Sequence, residues 1–318
     1  MASKTDLTGK LVTVLGGSGF VGSHLAQELL ARGARLRVAC RTPETAGRIK
    51  PLGNMGQVQL ARFDMADAAS VARVVAGSDA VANLVGAFSG DLDAVQGRGA
   101  GQAAAAARAA GAQAFVQISA IGADAEGATA YARSKAAGEA AVLAAFPQAV
   151  VLRPSVLFGS DDKFLNLFGG LIAAVPVMPV FAPTARMQPL FVDDLALAIA
   201  NILADPAAHA GQTYELGGPE QISVLDLNQR IAAAAERKVL FAPLPDALSG
   251  LFAAVTGWLP GAPLTRQQWQ LLQAGNVVSG TLPGITALGV NPRPLGLYLP
   301  RWMVRFRRHG RFRDRLAG

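Results

Sequence analysis

Two groups of residues in this chain have the types and spacing that chemistry needs. The first is Ser119 with Tyr131-Ala-Arg-Ser-Lys135. Tyr131 and Lys135 stand four apart, so on a helix they share one face. An ammonium beside a phenol favours the phenolate and is expected to lower the tyrosine's pKa. Ser119, at the mouth of the preceding strand, is placed to hold a substrate carbonyl. Such a set moves protons.

The second group is Gly16-Gly17-Ser18-Gly19-Phe20-Val21-Gly22, which follows the apolar run Leu11–Leu15 and precedes the amphipathic run up to Gly33. The pattern reads as strand, tight turn, helix. Gly16 lets the chain leave the strand sharply. Gly19 removes a side chain where a pyrophosphate approaches the backbone, and Gly22 lets the helix sit close to the sheet. The amides opening that helix, at Phe20, Val21 and Gly22, face the anion. This context makes the glycine spacing a dinucleotide signature.

Nucleotide choice is read at the end of the second strand, where an acid would bind a ribose 2′-hydroxyl. Here the position holds Cys40-Arg41, with Arg37 earlier on the strand and no carboxylate before Glu44. An arginine pairs with a 2′-phosphate by charge-assisted hydrogen bonds, so NADP(H) is expected in preference to NAD(H).

The elements needed to position these groups are legible. Strands are expected at Leu36–Cys40, Gln57–Arg62, Ala80–Val85, Ala114–Ile118 and Ala149–Leu152. Helices alternate with them, at Asp67–Val75, Asp91–Ala110 and Thr129–Ala145. Strict alternation implies an α/β fold, a Rossmann-type doubly wound parallel sheet. Gly97, Gly99 and Gly101 weaken the alanine-rich helix by about 1 kcal/mol each, which close packing of small residues would explain. After Arg153 the alternation lapses. Phe164–Pro183 carries no charge but is broken by Gly169, Gly170, Pro176, Pro179 and Pro183, so it suits an apolar lid or interface and not a membrane span. Further strands are expected at Pro189–Val192, Gln212–Leu216 and Val239–Ala242, and helices at Asp193–Leu203, Val224–Glu236 and near 246–257 and 265–274. The domains expected are 1–155 with about 189–220 for the dinucleotide, about 156–188 with 221–300 as a smaller C-terminal α/β domain, and a basic arm, 301–318.

Charge is concentrated in that arm and the ten residues before it. Residues 291–318 hold eight arginines and one acid, a net +7 equal to that of the whole 318-residue chain, so the body is neutral. A neutral body disfavours nucleic-acid binding. Trp302, Phe306 and Phe312 among the arginines favour contact over fraying, either with anionic lipid or with an acidic partner. Cys40 excludes an internal disulfide, and His24, His209 and His309 are too scattered for a metal site. The opening residues carry no apolar leader, which is expected of a cytoplasmic protein.

The glycine turn with Ser119, Tyr131 and Lys135 resembles the extended short-chain dehydrogenase/reductases. That resemblance implies that Asp64 lies near the adenine, with a helix N-cap as its alternative role. It also implies that Leu84, Val85 and Gly86 follow the ribose, and that Pro154, Ser155 and Val156 border the nicotinamide. Read further, Val116–Ala125, Gly138-Glu139, Ala145-Phe146-Pro147, Arg153-Pro154-Ser155, Phe158-Gly159, Asp162–Asn166, Gln188–Asp194 and Leu299–Trp302 resemble the NADPH-binding accessory subunits of respiratory complex I and their bacterial relatives. That family implies a structural NADPH, an association with complex I or the adjacent membrane surface, a peripheral place on the cytoplasmic face of the inner membrane, and links to ubiquinone. The complete Ser119/Tyr131/Lys135 set keeps a second expectation open, an active NADP(H)-dependent oxidoreductase acting on a small or quinone-related carbonyl. Nucleotide-sugar epimerisation lacks a signature after Arg153.

Overall fold

The computed structural model describes residues 7–244, 266–308 and 310; the helix expected near 246–257 lies outside them. The chain divides into two units. The first comprises Met1–Pro154, Val192–Leu216 and Ser279–Asn291; the second comprises Ser155–Phe191, Gly217–Val278 and Pro292–Gly318.

The first unit is built on a seven-stranded parallel sheet: β1 Leu11–Leu15, β2 Arg35–Cys40, β3 Val58–Arg62, β4 Ala80–Asn83, β5 Ala114–Ile118, β6 Val150–Pro154 and a last strand, Thr213–Leu216. In space the order runs from Thr213–Leu216 through β6, β5, β4, β1 and β2 to β3. The order therefore reverses at β1, between β2 and β4, which is where such sheets open a crevice at their carboxyl ends. The expected doubly wound sheet is present. Its central strands β1, β4 and β5 are almost wholly buried, as parallel strands covered by helices must be, whereas the edge strand β3 has no buried residue.

Helices α1 Phe20–Ala31, α2 Ala68–Val75, α3 Leu92–Gln96, α4 Arg98–Ala109 and α5 Ala130–Ala145 connect the strands. Val71, Val74, Val75, Ala100, Ala103, Ala104, Ala107 and Val142 from these helices pack on Leu15, Val81 and Phe115 of the sheet. Burying a side chain such as Phe115 contributes about 1.5–3 kcal/mol. The alanine face of α4 sits close to α5: a Cβ at Gly101 would lie 2.7 Å from that of Ala141, and one at Gly138 would lie 2.0 Å from the Gln96 carbonyl oxygen. Of the three glycines that weaken the helix, Gly101 permits that approach, and Gly138 permits one from α5 to the end of α3. The single helix expected over Asp91–Ala110 is two, broken at Gly97, whose ψ of −99° is not helical. Asp93 occupies the space a side chain there would need, its Oδ1 lying 2.2 Å from where a Cβ would stand.

Asp64 is not the cap of α2. Asp67 holds that role, its side chain accepting from the Ala69 amide, while Asp64 closes the turn before it by accepting from Ala66. Pro43–Leu52, between β2 and β3, forms a 3-10 segment that periodicity did not suggest.

The second unit contains β7 Leu157–Phe158, α6 Lys163–Ala174, β8 Val177–Val180, β9 Arg186–Met187 and β10 Leu190–Phe191. The strand expected over Pro189–Val192 is only the two residues of β10, and it pairs with β7 outside the main sheet. Val192 opens α7, Val192–Ala204, in the first unit. Thr213–Leu216 is β11. In the second unit β12 Ile222–Ser223 pairs with β9, and β13 Leu240–Pro243 with β8. Helices α8 Val224–Ala234 and α9 Arg266–Gln273 belong to the same unit. The uncharged Phe164–Pro183 stretch is therefore mostly α6 and β8, packed within this unit. Asp162 caps α6 through the Leu165 amide.

The basic arm is partly folded. Tyr298 stacks on Phe191 and on Trp302, at ring centroids of 4.3 and 5.0 Å, and the Arg293 guanidinium lies 4.5 Å from the Phe191 ring centre. Arg305 donates to the Ser160 carbonyl, and Arg307 pairs with Glu236 at 2.9 Å. Arg237 donates to the Phe306 carbonyl. Part of the charge expected to meet lipid or a partner, on Arg293, Arg305 and Arg307, thus acts within the chain. His309, Arg311, Phe312, Arg313 and Arg315 lie outside the described residues.

Candidate functional site

The site grows from the glycine turn in the first unit. Gly16 has φ +76°, a conformation that favours glycine. Its amide and that of Gly17 both donate to the Ala39 carbonyl, which fixes the turn against the end of β2. A Cβ on Gly22 would stand 2.3 Å from the Gly17 oxygen, so no larger residue lets α1 start there. At Gly19 the nearest atom to an added Cβ is the Gly16 oxygen at 3.3 Å, which leaves its outer side open. Gly19 caps α1 without a side-chain hydrogen bond. The amides of Phe20, Val21 and Gly22, in the first turn, have no carbonyl to receive them within the helix. This is a cradle for an anion, and it fits a dinucleotide diphosphate.

The turn meets the end of β4. The Leu84 amide donates to the Leu15 carbonyl, and a Cβ on Gly16 would lie 3.2 Å from Val85. One residue on, a Cβ on Gly86 would lie 3.4 Å from Lys135 Nζ. Leu84, Val85 and Gly86 therefore run from the glycine turn to the lysine. Lys135 Nζ donates to the Ile118 carbonyl at 3.2 Å, and Ser119 follows directly. Ser119 Oγ is buried and has no hydrogen-bond partner, an orphan polar atom of the kind a bound carbonyl or carboxamide would satisfy.

The charge state of the Tyr131–Lys135 pair differs from expectation. Burial pushes the Tyr131 phenol up to about 12 and the Lys135 ammonium down to about 8, with Glu139 partly opposing the latter. The lysine lies 5.8 Å from the Tyr131 ring centre. At that separation its attraction for a phenolate does not offset the loss of solvation, so the tyrosine is a neutral donor. Phe88 stacks on the Tyr131 ring.

Residues that spacing did not single out hold this arrangement. Gln96 is buried. Its Oε1 accepts from the Ala87 amide and its Nε2 donates to Ser134 Oγ, which ties the loop after β4 to α5. Glu139, one turn beyond Lys135, accepts two hydrogen bonds from Arg153 on β6, at 2.9 and 2.6 Å. Glu215 on β11 lies 3.9 Å from the same guanidinium. His24 Nδ1 is 2.5 Å from Asp193 Oδ1, joining α1 to α7.

The expected nucleotide residues separate into three groups. Arg41 follows β2 directly and is exposed. Arg37 is not beside it: its guanidinium donates to Gln59 and to the carbonyls of Val74 and Ala76, at the far end of α2. Strand register explains this, since Arg37 pairs with Thr13 in mid-sheet and not with the carboxyl edge. Pro154 ends β6 in the first unit, whereas Ser155 and Val156 open the second, where both bond to Asn276. Asp64 is exposed just past the end of β3. Among the described residues no group is placed to hold a metal ion, and no helix is long and apolar enough to cross a membrane.

The signature of the NAD dependent epimerase/dehydratase family matches residues 12–217. The mitochondrial NADH dehydrogenase (ubiquinone) 1 alpha subcomplex subunit 9 of Mus musculus is 30% identical over 302 residues, covering 92% of this chain and 80% of the mouse protein. A ceramide reductase of Caulobacter vibrioides is 33% identical over 207 residues, 64% of this chain and 63% of that protein. Among solved structures, the triphenylmethane reductase of Citrobacter sp. complexed with NADP(H) superposes with a TM-score of 0.73 at 19% identity, over 92% of this chain and 99% of that one.

Proposed function

The chain belongs to the NAD dependent epimerase/dehydratase family and is homologous to an accessory subunit of NADH:ubiquinone oxidoreductase, and from that premise we propose that it holds NADP(H) structurally while associating with respiratory complex I. The observation that carries the association is the reach of the similarity. It extends over 92% of the chain, into the second unit, and is not confined to the dinucleotide fold. A peripheral place at the cytoplasmic face of the inner membrane follows from the association. NADP(H) is preferred because the connection after β2 offers Arg41 where an acid would serve NAD(H). The glycine cradle would hold the diphosphate, and Leu84–Gly86 would line the ribose.

A second reading is favoured by the intact proton-transfer set. When bound, the reduced nicotinamide supplies a hydride. The chain's own part is then to hold a carbonyl oxygen on the Ser119 hydroxyl and to donate the Tyr131 proton to it, giving an alcohol. Lys135 lies beside the resulting phenolate and stabilises it until solvent returns the proton. Similarity to a ceramide reductase over 64% of the chain is consistent with this chemistry.

Native isolation tests the first reading. The tagged full chain, recovered from the membranes of its own cells, should bring complex I subunits with it and release NADP(H) on denaturation. A chain that elutes alone and free of nucleotide contradicts it.

A further inference from the structure

The 3-10 segment between β2 and β3 brings an arginine to the glycine turn. Ala46 and Ile49 are fully buried, which fixes how the segment packs. Arg48 lies between them in sequence and is exposed. Its Nη2 donates to the Ser18 carbonyl at 3.2 Å and to Ser23 Oγ at 2.8 Å. Ser18 belongs to the turn and Ser23 to the first turn of α1. Thirty residues of chain thus return to the rim of the cradle.

The remaining chemistry of that guanidinium is open. A guanidinium has five N–H donors in a planar fork. The two contacts occupy Nη2, so the three donors of Nε and Nη1 stay available, on a side chain already anchored. Arg41 lies two residues past Ala39, whose carbonyl receives the Gly16 and Gly17 amides. Arg62 ends β3 in register with Cys40. From Arg35 to Arg62 the one acid is Glu44. The rim from β2 to β3 therefore carries more cations than a neutral ribose requires, and one arginine balances only half the charge of a dianionic phosphomonoester.

We propose that Arg48 is a second ligand for the ribose 2′-phosphate, closing on it with Arg41 and so setting the preference for NADP(H). The assignment rests on the dinucleotide reading of the turn and goes beyond it by naming the group that discriminates. Anchoring on Ser18 and Ser23 lowers the entropy lost when the fork engages a phosphate. Arg48 is exposed, so its replacement leaves the core intact.

Calorimetric titration of the full chain with 2′,5′-ADP and with 5′-ADP, which lacks the 2′-phosphate, separates the possibilities. Arg48→Gln should weaken 2′,5′-ADP about tenfold and 5′-ADP less than about twofold, the difference expected when one charge-assisted contact is lost. Arg48→Lys, which keeps the charge without the fork, should fall between. Equal losses for both ligands would place Arg48 at the diphosphate or make it a brace for the turn, and would overturn the assignment. Unchanged affinities would overturn it too. A wild-type chain that binds 5′-ADP as tightly as 2′,5′-ADP removes the assignment but leaves the dinucleotide site. A wild-type chain that binds neither removes both.

Discussion

Phe88 lies flat on Tyr131, with ring centroids 4.7 Å apart and planes inclined by 13°. Phe88 is itself 61% exposed, so it serves as a cover and contributes little to the core. The stack covers one face of the ring whose phenol pKa burial has raised to about 12. Phe88→Ala should therefore bring the Tyr131 pKa down towards 10, at a stability cost below about 1 kcal/mol. Ultraviolet titration of tyrosinate, with Tyr131→Phe as the reference, reads it. An unshifted midpoint would show that Phe88 does not govern the solvation of the phenol.

Lys135 makes a pH prediction of definite sign. Its pKa in the folded chain is about 8, below its usual 10.5. Between those values the unfolded chain carries the extra proton, so stability rises with pH, by up to about 1.4 kcal/mol per unit. Tyr131 acts in the opposite sense, costing stability between pH 10 and about 12. Urea unfolding at pH 7, 8, 9 and 10 should show a rising contribution in the wild type that Lys135→Met lacks. Parallel curves would mean that the ammonium is solvated.

The arm makes a steric prediction. A Cβ on Gly169 would lie 2.5 Å from the Phe306 ring, whereas one on Gly170 would approach it no closer than 4.0 Å. Gly169→Val should expel Phe306 and loosen the bonds of Arg237 and Arg307 beside it, at about 1–3 kcal/mol. Trypsin should then cut faster after Arg305 and Arg307. Gly170→Val should leave cleavage near the wild-type rate. Equal sensitivity in the two variants would show that Phe306 does not hold the arm.

What was legible in the sequence was local. The glycine turn lies between a strand and a helix, and Tyr131 and Lys135 need only helical spacing to share a face; both are in place. What was not legible depends on distant chain. Arg48 reaches Ser18 across a 3-10 segment with no periodic signal. Gln96, at the end of the short α3, is distinguished only by the Ala87 amide and Ser134. The raised tyrosine pKa reflects burial, whereas spacing alone showed only the nearby lysine. Arg37 was readable in principle: its place in mid-strand already put it away from the carboxyl edge. Phe306 resembled an arm residue awaiting a partner until Gly169 supplied the hollow that it fills.

The most direct test of the account is nucleotide binding by the purified, folded chain. Titration with NADPH and NADH, followed by calorimetry, should show one nucleotide bound per chain and an affinity for NADPH about tenfold or more above that for NADH. A folded chain with no affinity for either nucleotide would contradict the structural-cofactor and oxidoreductase readings together.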